Sequence, residues 1–448
     1  MTNSLPKLPE SQEPVAKETP GMHAGPPPEE PALARTESRQ ARSQRMSTSV
    51  LILVVGALLL FLTFSTSGTA RFALSDAFDE VQLPTIGLPG LPVVLICALA
   101  CIGAGIGLLS GRLRGRLPAL AGTVAGLAVV LGFLTWAAAG RGLPFPLSNQ
   151  FNGTLSLATP LILGALCGVL CERSGIVNVA IEGQFLTAAF AAAFVGSVTK
   201  SIPAALVAAI IAGILMGSLL ALFAIRYLVD QVVLGVVINL LAAGLTGFLF
   251  DQLVQPNSRE FNSGPIMSQL PIPLLSEIPF IGPILFRQTI LAYLAVLSVI
   301  VVWFLLYRTK WGLRVRAVGE HPEAADTVGI RVRAVRWSAV LVGGAFAGLG
   351  GAFFTIGSTG AFVKDLTVGN GFIALAALIM GRWHPVWATV MALFFGFVTQ
   401  MASQLQTLQT PVPSQFLLVL PYVATIIAVA GLVGRVRAPA ADGVPYTK

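Results

Sequence analysis

Charge is scarce in this chain. Asp, Glu, Lys and Arg make up 11% of its 448 residues, against about 25% in a soluble domain, which excludes an ordinary water-soluble fold. Histidine is scarcer still. His23, His321 and His384 are the whole set, and none has the spacing of a metal ligand. The four cysteines fall in two i, i+4 pairs, Cys97/Cys101 and Cys167/Cys171, inside apolar runs. Without His or acid partners they read as small hydrophobes rather than a metal site or a disulfide framework. No G-x-x-x-x-G-K-[ST] phosphate loop occurs, so ATP hydrolysis, if it drives this protein, belongs to another chain. Neither a catalytic constellation nor a cofactor fingerprint is visible, and the expectation is a non-enzyme without cofactor or metal.

What is abundant is apolar. Hydrophobic residues make up 55% of the chain, and the mean hydropathy is +0.81. A net charge of +8 and a pI near 9.7 raise the thought of nucleic acid. The basic residues sit at the ends of apolar runs, which points to the lipid bilayer instead. Twelve candidate spans follow, at 48–64, 91–110, 118–138, 155–171, 184–198, 203–225, 232–250, 289–307, 337–356, 370–381, 385–402 and 415–432. Spans 184–198 and 370–381 are short against the roughly 17–25 residues of a simple crossing. The fold class expected is all-α, a polytopic transmembrane helical bundle of about 10–12 spans with broken or re-entrant helices. The expected organisation is a disordered cytoplasmic tail over 1–46, a membrane domain over 47–434 and a cytoplasmic C-terminal tail over 435–448. The polar, Pro-rich start is unlike a signal peptide.

Threading these spans with the N-terminus inside leaves six of the 28 Lys/Arg outside, namely Arg71, Arg141, Lys200, Arg259, Arg287 and Lys364. The other 22 face the cytoplasm, and both termini lie there. The expected location is the plasma membrane. The longest external loop, 251–288, is a candidate cap facing an extracellular partner.

Four segments stand out. The first, Arg308–Arg336, carries seven Lys/Arg against Glu320, Glu323 and Asp326. Its middle reads as a short helix opened by Pro322 and closed by Gly329, a folded basic element able to dock a soluble partner. The second is ERSGIVNVAIEGQ, Glu172–Gln184, which interrupts two apolar runs with glycine, Asn178 and Glu182. Irregular backbone survives at membrane depth only in a protein interior or along a cavity. The third, Lys364–Gly371, repeats the pattern with Asn370 before a short apolar helix; paired interruptions of this kind mark transport paths. The fourth holds Asp230, Gln231, Gly235 and Asn239, with Asn239 inside a span. Asn178, Glu182, Asn239 and Asn370 are thus the candidate pathway residues. Four small-residue pairs, Gly103/Gly107, Gly164/Gly168, Gly213/Gly217 and Gly344/Gly348, are candidates for close helix packing.

LATPLILGALCGVLCERSGIVNVAIEGQ, DQVVLGVVINLL, GLRVRAVGEHPEAADTVGI and VGNGFIALAALIMGRWHP together resemble the permease subunits of bacterial ABC importers of the ribose and branched-chain amino acid type, and most closely their nucleoside branch. The resemblance covers about residues 150–435. It implies a permease that works with an ABC ATPase subunit, a second and different permease subunit, and an extracellular substrate-binding lipoprotein. It also implies that the 308–336 loop holds the ATPase coupling helix, with Glu320, Pro322, Glu323, Asp326 and Gly329 as its candidate residues. Nucleosides are the implied cargo. A ribose-type sugar or an ion-coupled mechanism is the alternative.

Overall fold

In a bilayer every backbone polar group must find its partner within the protein, so long apolar runs fold as helices. The computed structural model describes residues 39–76, 81–113, 115–408, 413–427 and 437–447. Among the described residues ten helices are long and apolar enough to cross a membrane. The chain is a multi-pass membrane protein.

Helices α1 (Arg39–Thr63), α2 (Gly90–Leu109) and α3 (Leu117–Ala138) come first. Strands β1 (Thr69–Ala73), β2 (Ile86–Pro89) and β3 (Phe145–Pro146) join their ends as a small sheet in the order β2-β1-β3. The pairing is antiparallel for β1–β2 and parallel for β1–β3. These strands, and the β4–β5 pair below, were not expected from the sequence; each is too short to give a periodic signal. Val94 and Trp136 of this part share a core with Ala402, Leu405 and Leu417 near the far end of the chain. Helix α1 begins at Arg39, so residues 39–46, expected within the disordered tail, are helical; residues 1–38 lie outside the described residues.

The central bundle follows. It contains α4 (Leu147–Glu172), α5 (Ile181–Thr199), α6 (Ile202–Ala221) and α7 (Gln231–Leu249). An outer segment holds α8 (Ser258–Phe261), β4 (Gln269–Pro271), α9 (Ile281–Leu285) and β5 (Arg287–Thr289), with β4 and β5 antiparallel. Then come α10 (Ile290–Arg308), α11 (Lys310–Glu320), α12 (Pro322–Thr327) and α13 (Val332–Phe354). The chain closes with α14 (Asn370–Met380), α15 (Pro385–Thr407) and α16 (Ser414–Ile427). The span expected at 370–381 is α14, only 11 residues long. It is too short to count among the ten helices long enough to cross. Residues 428–432 of the last expected span lie outside the described residues.

Helix α4 is the axis of the bundle: 83% of its apolar stretch is buried, against 28% for α7. Glycine decides how closely the others approach. A Cβ on Gly344 would lie 2.6 Å from Gly213 O, and one on Gly217 would lie 3.3 Å from Val340 O. Helices α6 and α13 therefore pack backbone to backbone. Gly164 and Gly168 instead receive the side chains of Phe185, Ala374 and Leu378. Gly103 meets nothing within 4 Å, so the Gly103/Gly107 pair holds no helix crossing together.

Both ends of the bundle can be followed through contacts. Arg45 Nη1 donates to Leu108 O at 2.8 Å and Leu109 O at 3.0 Å, placing the start of α1 beside the end of α2. Alternation through α3 and α4 brings Arg173 to the same face, where its Nε donates to Trp383 O at 2.8 Å. Helices α11 and α12 lie on that face as well, and Gly319 packs directly on the Arg173 carbonyl. The opposite face carries the two small sheets.

Candidate functional site

The break after α4 is held by polar side chains because its backbone cannot hold itself. Residues 173–180 carry no helix. The Asn178 side chain is fully buried. Its Oδ1 accepts from Ala180 N at 3.1 Å, and its Nδ2 donates to Gln184 Oε1 at 3.3 Å and lies against Cys167 and Cys171. Asn178 thus folds the break and faces the core. Expected as a pathway residue, it does not line the cavity described below. The two cysteine sulfurs of α4 and the Gln184 amide around it make a soft polar knot in an apolar interior.

Helix α7 grips the same break from the other side. Asp230 caps α7 by accepting from Val232 N at 3.0 Å and Val233 N at 2.9 Å. The next residue, Gln231, accepts from Val177 N at 2.7 Å through its Oε1. One turn on, a Cβ on Gly235 would sit 2.8 Å from Val179 Cβ, so only glycine lets α7 come this close. A further turn on, Asn239 accepts from Gly183 N at 2.8 Å and donates to Val179 O at 3.0 Å. Gln231, Gly235 and Asn239, spaced four apart, form one row that mates with the break, and Asp230 fixes the start of the helix that carries it.

Glu182 joins the two interrupted segments. Its carboxylate accepts from Thr367 Oγ1 at 2.6 Å, Gly369 N at 2.8 Å and Gly371 N at 2.6 Å. The first N–H groups of α14 have no partner inside their own helix, and a carboxylate there also meets the positive end of the helix dipole. Gly369 reaches this geometry in the left-handed region, with φ +79°. Asn370 Nδ2 donates to Thr367 O at 2.8 Å, fastening the turn from within. The stretches 172–184 and 364–371, paired in the sequence by their pattern, are thus in direct contact.

Beside this joint lies a cavity of about 270 Å³. Glu182, Asn239, Asp365 and Thr367 give it polar edges; Leu186, Val236, Leu240 and Phe372 give it apolar walls. It is open along the exposed face of α7. Of the four candidate pathway residues, Glu182 and Asn239 line it. Asn370 braces its rim, and Asn178 stands behind it. Thr367 and Asp365 are lining residues that no span pattern marks. The edges offer acceptors and donors suited to a polar solute, with apolar surface enough for a flat ring.

The second candidate element is α12. Pro322 stands at its first turn and Gly329 follows its end with φ +83°, the opening and closure read from the sequence. Glu323, Ala324, Thr327 and Val328 are exposed, while Ala325 is buried. Glu320 ends α11 rather than belonging to α12, and its carboxylate accepts from Ala440 N at 3.3 Å. Helix α11 itself was not expected, since its alternating RVR residues show no helical period.

The family described as branched-chain amino acid transport system / permease component matches residues 150–430. Guanosine ABC transporter permease protein NupQ of Bacillus subtilis (strain 168) is 41% identical over 311 residues, covering 67% of this chain and 97% of that protein. Nucleoside ABC transporter permease protein NupC of Lactococcus lactis subsp. cremoris (strain MG1363) is 41% identical over 304 residues, covering 66% and 95%. Glucose ABC transporter permease protein TsgB13 of Haloferax volcanii is 30% identical over 264 residues, covering 56% and 68%. No solved structure matches the chain.

Proposed function

The chain belongs to the family of branched-chain amino acid transport system permease components, and on that premise we propose that it forms half of the pathway of an ATP-driven importer of nucleosides. The observation that carries this reading is the cavity at the joint of the two broken segments, edged by Glu182, Asn239, Asp365 and Thr367. A nucleoside has a flat apolar base and a polar ribose. It loses hydration on entering the membrane and needs hydrogen-bond partners there. The names of the two relatives at 41% identity point to the same cargo.

The exposed α7 wall of the cavity, with Val236 at 47% and Leu240 at 68% exposure, is closed in this reading by a second permease subunit. Solute arrives from an extracellular binding lipoprotein. The face bearing α11, α12 and both termini is cytoplasmic, and α12 docks an ABC ATPase through Glu323, Ala324, Thr327 and Val328. A simple sugar is the second reading, favoured by the relative named for glucose.

The test is uptake of labelled guanosine, adenosine and glucose by cells with and without this gene, and with Asn239→Leu or Glu182→Leu. We expect gene-dependent nucleoside uptake. Asn239→Leu should lower its rate more than it changes the preference among nucleosides. Glu182→Leu, which orphans three donors at about 1–3 kcal/mol each, should lower it at least tenfold. Gene-dependent uptake of glucose alone would reverse the choice of cargo.

A further inference from the structure

Residues 437–447, within the segment expected as a C-terminal tail, are folded onto the bundle. Ala441 N donates to Gly319 O at 2.9 Å, and Ala440 N donates to Glu320 Oε2 at 3.3 Å. Val444 O accepts from Arg336 Nη1 at 3.1 Å. Tyr446 is 8% exposed and shares a small core with Val318, Ala325 and Val332. On its other side the segment reaches the break after α4. A Cβ on Gly175 would lie 2.9 Å from Ala441 O, and one on Gly443 would lie 3.3 Å from Val177 Cγ2. Arg336, itself 1% exposed, ties the two sides together, since its Nε donates to Ser174 O at 3.2 Å.

We propose that residues 437–447 are a strut that couples α12 to the break at 173–180, and that together with α12 they form the working face presented to the ATPase. Six residues do not hold a helix by themselves. Helix α12 keeps its shape by burying Ala325, and Tyr446 belongs to the small core that takes it up. The break begins the chain's path to Glu182 and the cavity. A push on α12 therefore reaches the pathway through Tyr446, Ala441 and Arg336. A shorter route exists where Gly319 rests on the Arg173 carbonyl. It joins α11, not α12, to the break.

The inference rests on the reading of α12 as the docking helix, so the experiment separates the two. In the complete importer, four variants are compared with wild type: a chain ending at Val436, Tyr446→Asp and Tyr446→Phe in the full chain, and Glu323→Arg. Labelled-nucleoside uptake, ATP hydrolysis stimulated by solute, and co-purification of the ATPase are measured for each. For the truncated chain and Tyr446→Asp we expect uptake to fall at least tenfold and stimulated hydrolysis to be lost, with the ATPase still bound. Tyr446→Phe should retain more uptake than Tyr446→Asp, because it keeps the ring in the core with Val318, Ala325 and Val332. Uptake at the wild-type rate by the truncated chain would overturn the strut and leave the α11–Arg173 contact as the sole route. If the truncated chain fails to insert, Tyr446→Asp decides, and normal uptake by it overturns the strut equally. Normal uptake by Glu323→Arg overturns the docking role of α12 itself, whatever the other variants do.

Discussion

Glu182 shows how one side chain settles the use of a whole segment. An acid inside an apolar stretch invites the idea of ion coupling. Here both carboxylate oxygens are already engaged by Thr367, Gly369 and Gly371, and the group holds two broken segments together. Asp442 is the residue where acidity matters. Burial pushes its carboxyl up to about 7 from an ordinary 3.8, with the charge of Arg336 pulling the other way. The other titratable groups facing this cluster are Glu172 and Tyr446. An acid whose folded value is raised favours the docked segment fully below its ordinary value and loses that contribution as pH rises through about 7. Residues 437–447 should therefore be cut by protease faster at pH 8 than at pH 6, relative to Asp442→Asn at the same pH. Equal ratios at the two pH values would remove Asp442 from control of the docking.

At the scale of the element, the α6–α13 crossing is the tightest test of packing. Gly213 and Gly344 bring the two backbones into contact, and a methyl on Gly344 falls 2.6 Å from a carbonyl oxygen that cannot move aside. Gly344→Ala should destabilise the bundle by about 1–3 kcal/mol, read as a lower unfolding temperature in detergent. Gly103→Ala, with open space around it, should be neutral in the same measurement. In the sequence Gly344/Gly348 stands out from Gly103/Gly107 only by the denser run GGAFAGLGGAF around it, because spacing reveals a stripe of small residues but not which side faces a neighbour. The short helix α12 was legible for a firmer reason: Pro322 and Gly329 act locally through φ. The Asp230–Asn239 row was legible as a set, though its mate was not. The contacts of Asn178 were not legible, because an amide in an apolar run looks the same whether it serves a solute or satisfies the bend of its own chain.

At the scale of the whole molecule, the contacts between helix ends sort the loops onto two sides, and the distribution of Lys and Arg predicts which of the two faces the cytoplasm. The side bearing α12 should be cytoplasmic. With a cysteine placed at Leu274, which is 79% exposed, a membrane-impermeant reagent should label intact cells. With one placed at Val328, 74% exposed, labelling should wait until the membrane is opened. Labelling of position 328 in intact cells would invert the assignment. What the sequence could not disclose was the closure of the chain upon itself. Nothing in the composition of 437–447 says that it returns to α11 and α13, since its anchors are two backbone N–H groups, one carbonyl and one tyrosine.

That return has a counterpart earlier in the chain. Trp136 at the end of α3 shares its core with Leu405 and Leu417, which are made some 270 residues later. At about 5–20 residues per second of synthesis, α3 stands in the lipid for roughly 13–54 s before its partners leave the ribosome. For that interval the first three helices hold together through their own contacts and the sheet between them. Loss of α15 and α16 from a nascent chain would leave the Trp136 indole without the side chains that bury it in the finished molecule.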